Sequence, residues 1–150
     1  MCAVCVMLFA SGTPNPTGTV IDQSLCISFS EAEAVGIDIT ELREEYPAAV
    51  SAFPNRRDDV AAAWSQLQFT LRDQLSQYEK ADFAGCSMFT VVLFKGDGTI
   101  ARFFYQGLDE EHGSALCDVV ERLARTYRFP LQSEDCFSQC GTTHFKENSE

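Results

Sequence analysis

MFTVVLFKGDGTIARFFY, residues 88 to 105, is the stretch that decides the fold. Met88–Phe94 is β-branched and aromatic and apolar on both alternating faces, the pattern of a strand buried in the middle of a sheet. Lys95-Gly96-Asp97-Gly98 has turn chemistry, since glycine reaches positive φ without a Cβ penalty and Asp can bond its own backbone. Thr99–Tyr105 returns as the antiparallel partner. Gly107 ends that strand, and Asp109 caps a helix over Glu110–Tyr127 whose Leu116, Val119, Val120, Leu123 and Tyr127 share one face. Asp118–Arg122 and Glu121–Arg125 are acid-before-base pairs on the other face, and Arg122, Arg125 and Arg128 suit the negative end of the helix dipole. Pro130 stops the helix.

Upstream, Ser30-Glu31-Ala32-Glu33 has capping-box spacing and predicts a short helix ending near Gly36. Asp38 opens another that must finish before Pro47, and Pro54 marks a further break. Asn55 can cap the clearest helix, in which Val60, Trp64, Leu67, Leu71, Leu75 and Tyr78 recur at steps of three and four and Gly85 is the terminator. Trp64 on that stripe belongs to the core. Val4–Phe9 and Leu25–Phe29 are strand-like and separated by the turn-rich SGTPNPTG, so they predict an antiparallel pair. The whole predicts a single α+β domain over residues 1–150: a mostly antiparallel sheet with helices packed on one face, a two-layer sandwich. Residues 1–20 are strand and loop, and 132–150 are an irregular tail holding a weak strand, Cys136–Phe145. From Leu25 to His144 the order also matches the split β-α-β arrangement of ferredoxin-like folds.

The chain has 150 residues, 45% hydrophobic, with 12 phenylalanines, enough for one sizeable core and too apolar for intrinsic disorder. Its net charge of −11 argues against a nucleic-acid surface, which must be basic. No window is long and apolar enough to span a membrane, so a soluble chain is expected. Ala3–Ala10 reads as a buried strand, and no Lys or Arg precedes Arg43, so the basic region of an export signal is missing; an atypical or trimmed signal ending at Ala10-Ser11-Gly12 is the alternative.

Seven cysteines, an odd number, in a chain with ample phenylalanine predict reduced thiols and a cytoplasmic setting. Cys26 and Cys117, inside apolar runs, read as small hydrophobes. Cys2-x-x-Cys5 with Cys136-x-x-x-Cys140-x-x-x-His144 supplies enough thiolate and imidazole for a structural zinc site tying the two ends together. Zinc is the one cofactor these residues suggest; otherwise none is expected. No P-loop, dinucleotide fingerprint, nucleophile elbow or zinc-protease motif is present, and His112 and His144 lie in no triad motif. No catalytic residue is assigned, and the domain is expected to be non-catalytic.

Phe89–Leu123, FTVVLFKGDGTIARFFYQGLDEEHGSALCDVVERL, is similar to the closing strand–hairpin–helix of thioredoxin-like domains and, as a pattern, to the carboxy-terminal domain of TonB-like proteins. Cys117–Leu123 is similar to the last helix of profilins. Three unrelated families sharing one unit mark it as generic, and no functional residue is carried over. The thioredoxin-like resemblance implies, as an alternative function, a thiol protein without a standard active site; a zinc-stabilised module is a third. The leading expectation is an acidic domain that binds a protein partner with a basic surface as adaptor, inhibitor or complex subunit. Glu31, Glu33, Asp38, Glu41, Glu44 and Glu45, against the single base Arg43, are the partner-binding candidates.

Overall fold

The computed structural model, which describes residues 24–147, places the hairpin at the centre of a four-stranded sheet. In chain order the elements are β1 (Cys26–Ser28), α1 (Phe29–Ala34), α2 (Ile39–Glu45), α3 (Ala49–Ala52), α4 (Arg57–Ser76), β2 (Ser87–Phe94), β3 (Ile100–Gln106), α5 (Glu110–Ala124) and β4 (Phe137–His144). β2 and β3 pair antiparallel, with Val91 opposite Phe104 and Val92 opposite Phe103. The turn closes because Gly98 takes φ +88° and Asp97 Oδ1 accepts from both the amide and the hydroxyl of Thr99.

The α+β class holds, and the sheet is mixed. Its order is β1-β3-β2-β4, with β4 antiparallel to β2 and β1 parallel to β3. The weak strand in the tail is therefore a full edge strand of eight residues. The element order is the split β-α-β one, but β4 lies beside β2, at the edge remote from β1. The return segment explains this. Phe129 N–H bonds the Gly98 carbonyl at 2.8 Å and Ser133 N–H bonds the Gly96 carbonyl at 2.9 Å, which steers the chain past the hairpin turn to the outer side of β2. A Cβ on Gly96 would run into the Ser133 carbonyl, so this close passage needs glycine.

The long helices α4 and α5 cover one face. Leu67, Leu71 and Leu75 of α4 and Leu116, Val119 and Val120 of α5 join Met88, Val92, Phe94 and Phe103 in one buried cluster with Trp64. The opposite face carries a second, smaller cluster of Ile27, Ala32, Tyr46, Val91, Leu93 and Phe104, against which Ile39 and Leu42 of α2 pack. The short helices thus add cover to the face the long ones leave open.

Local signals were displaced by a turn in places. The capping box of α1 is Ser28 with Glu31, not Ser30 with Glu33: Ser28 Oγ accepts from Glu31 N–H at 3.1 Å and the Glu31 carboxylate accepts from Ser28 N–H at 2.9 Å. Strand β1 ends at Ser28, so Phe29 is already helical. Asn55 is left-handed, φ +67°, and Arg56 stands at the start of α4. That helix ends at Ser76, well before Gly85. Asp118 and Glu121 form no ion pair with Arg122 or Arg125; Asp118 receives the Tyr78 hydroxyl instead. The strand expected at Val4–Phe9 and the loop after it lie outside the described residues.

The largest correction concerns Cys26 and Cys117. They form a disulfide across 91 residues of sequence, with Cα atoms 5.3 Å apart, well inside the range a bridge needs. Helix α5 packs against β1 and brings the two thiols together. Cys136 is also disulfide-bonded, while Cys86 and Cys140 are free.

Candidate functional site

Of the chain's two histidines, 32 positions apart, His112 fastens onto the segment that joins α4 to β2 and His144 onto Ser87, the first residue of β2. Asp109 caps α5 by accepting from His112 N–H at 2.9 Å, which sets His112 in the first turn. From there His112 Nδ1 meets Asp109 Oδ1 at 2.7 Å and Nε2 meets the Asp82 carbonyl oxygen at 2.7 Å. The Phe83 ring stands edge-on to the imidazole at 5.0 Å and packs against Phe145 at 5.1 Å. At the end of the β2–β4 pair, Ser87 Oγ lies 2.9 Å from His144 Nδ1. A second tether joins the segment to α5, where Tyr78 Oη donates to Asp118 Oδ2 at 2.6 Å.

These contacts border an open groove of about 650 Å³ lined by Phe69, Arg72, Phe83, His144, Phe145 and Lys146. Phe69, on α4, is 58% exposed.

Electrostatics point away from a nucleophile here. Burial pushes the Cys86 thiol up, and Asp109 and Asp82 push it further, so it stays protonated. The Asp109 hydrogen bond, then the Asp82 carbonyl, raise the His112 pKa above the ordinary histidine value, with burial opposing. The His112 amide, then its ring, hold the Asp109 carboxyl below the usual range. With both nitrogens bonded to acceptors, the His112 imidazolium has no lone pair to serve as a general base. His144 and Ser87 could exchange a proton, but among the described residues no carboxylate orients the His144 ring.

Among the described residues, the zinc candidates Cys136, Cys140 and His144 are not brought together as a ligand set. Cys2 and Cys5 lie outside the described residues. Cys136 is disulfide-bonded. Cys140 and His144 sit on the same side of β4 but four residues apart along it, roughly 13 Å at strand spacing. Among the described residues no group of three or more His, Cys, Asp or Glu side chains could hold a metal ion.

The acidic candidates are exposed: Glu31, Glu33, Asp38, Glu41, Glu44 and Glu45 all lie on α1, α2 and their caps. Two are occupied locally: Glu31 closes the capping box and Asp38 accepts from the amides of Thr40 and Glu41. Glu33, Glu41, Glu44 and Glu45 form no ion pair among the described residues. Arg43 points Nη2 at Cys140 Sγ, 3.7 Å away, instead of at a neighbouring acid. No spacing rule could have found the His112 clasp, since its partner Asp82 is 30 residues away.

The architecture is a mixed-sheet α+β domain, and among the described residues no helix is long and apolar enough to cross a membrane. No protein-family model, curated protein or solved structure matches the chain.

Proposed function

We propose that this domain is a non-catalytic interaction module whose α1–α2 surface docks a basic protein. The observation that supports it is the state of that surface: four carboxylates, Glu33, Glu41, Glu44 and Glu45, are exposed and form no ion pair among the described residues, and the local cation is turned toward a thiol. Within a chain of net charge −11 this creates a negative field that accelerates encounter with a cationic partner more than it deepens final affinity. The odd cysteine count favours a cytoplasmic setting, and the Cys26–Cys117 disulfide favours an oxidising one; we infer the latter.

The test uses an oligolysine peptide as the probe and stopped-flow mixing as the readout. Charge reversal at Glu41, Glu44 and Glu45 to Lys slows association several-fold at low salt and flattens its salt dependence. A control reversal at Asp58, Asp73 and Glu79, equally exposed but on and after α4, has a smaller effect. Equal slowing in the two variants would mean that only net charge matters, and would overturn the proposal.

A further inference from the structure

His112 is engaged at both ring nitrogens, and both partners are acceptors. Nδ1 faces the Asp109 carboxylate at 2.7 Å and Nε2 faces the Asp82 carbonyl at 2.7 Å. A carbonyl oxygen cannot donate, nor can an ionised carboxylate, whereas a neutral imidazole carries a single N–H. The two bonds coexist only in the imidazolium. The ring cannot swing away easily, because its side chain is 19% exposed and Phe83 packs edge-on against it at 5.0 Å. We propose that His112 is a proton-controlled strap: as imidazolium it fastens the segment 80–86 to the amino end of α5, and as neutral imidazole it lets that segment go.

The bond that breaks is determined by the neighbours. When one proton leaves, the remaining N–H stays on Nδ1, opposite the negative carboxylate, and Nε2 turns a lone pair toward the lone pairs of the Asp82 carbonyl. From α5, the groups facing the ring are Asp109 and Glu111. From the segment they are the Asp82 carbonyl and the uncharged Phe83 ring; the Asp82 carboxylate itself is turned to the Ala84 amide at 2.9 Å. From the end of β4, Phe145 packs on Phe83, and burial with the Asp109 and Asp82 carboxylates raises the pKa of the Cys86 thiol nearby. No cation in this set competes with the imidazolium. The proton is therefore held more tightly folded than unfolded, in line with the raised His112 pKa. A group raised on folding stabilises fully below its unfolded value, about 6.5, and loses that contribution as pH rises through the folded value. The strap is fastened in mild acid and opens on the alkaline side.

Opening is partial. Tyr78 remains bound to Asp118, a bond that raises rather than lowers the phenol pKa and so survives across this range. What loosens is the stretch carrying Asp82, Phe83 and Ala84, one wall of the groove beside Phe69.

Three amides report on that stretch: Ala84 N–H bonded to Asp82, Gly85 N–H bonded to Phe145, and Cys86 N–H bonded to Phe83. The experiment is an NMR titration of the His112 ring together with hydrogen exchange at these amides, corrected for intrinsic exchange. The expected result is a His112 midpoint above the ordinary histidine range, with exchange at the three amides speeding about tenfold across that same midpoint, the loss of one charge-assisted bond. Asp109→Asn keeps a good helix cap but removes the charge, so both midpoints move down together. His112→Phe abolishes the step and leaves the amides at the alkaline level of the wild-type protein. A His112 midpoint at or below the ordinary value, amides without a step, or a step that stays in place in Asp109→Asn would each overturn the strap. Should either variant fail to fold, the coincidence of the two wild-type midpoints decides alone.

Discussion

On the α4–α5 face of the sheet Phe94, Phe129 and Phe137 touch one another with centroids 5.0 to 5.3 Å apart, and Phe53 closes on Phe137 edge-to-face at 5.0 Å. The α1–α2 face instead packs Ile27, Ala32, Val91 and Leu93 around Phe104, beneath two helices of six and seven residues. Aromatic rings bury large areas and gain further from edge and offset contacts, so the first face holds the larger share of stability. The second keeps only enough apolar contact to hold its short helices down, and their outward surfaces remain acidic. One face carries the larger aromatic core; the other turns its carboxylates to solvent.

The largest test of this contrast is Phe94→Ala, which should cost about 3–5 kcal/mol in chemical denaturation, since it empties a site bordered by two rings. Replacing both Cys26 and Cys117 by Ala should cost about 2–5 kcal/mol, because the bridge closes a long loop and ties α5 to β1. Unchanged stability would mean the two thiols do not pair. On the smaller face Leu93→Ala should cost about 2–4 kcal/mol. If it matches or exceeds Phe94→Ala, the two faces are energetically equivalent and the contrast fails. The smallest effect is expected from the triple Lys variant at Glu41, Glu44 and Glu45: within about ±0.5 kcal/mol in stability, because exposed charges that form no ion pair among the described residues hold little folding energy. A larger loss would show that these carboxylates support the helices.

Much of the fold was legible because its signals are local. The β-branched and aromatic run of Met88–Phe94 and the glycines of the turn specify a hairpin within 18 residues. The stripe Val60, Trp64, Leu67, Leu71 and Leu75 is buried as its period requires. The acidic surface was legible too, since charged side chains on short capped helices have nowhere to go but solvent. β4 was nearly illegible: FSQCGTTH alternates poorly, contains a glycine, and gains its strand conformation from pairing along β2 residue by residue. Gly141 itself is explained only in space, where a Cβ would press on the Trp64 indole.

The sequence alone determined the hairpin, the long amphipathic helices, the caps at Asp38 and Asp109 and the negative charge, because each depends on residues within a turn or two of one another. Only the tertiary structure decided the strand order, the Cys26–Cys117 bridge and the His112 clasp on Asp82. Those join positions 30 to 91 residues apart. Closing such loops costs chain entropy that no local pattern encodes, and the packing of α5 against β1 and the binding of the return segment to the hairpin turn supply the compensating contacts.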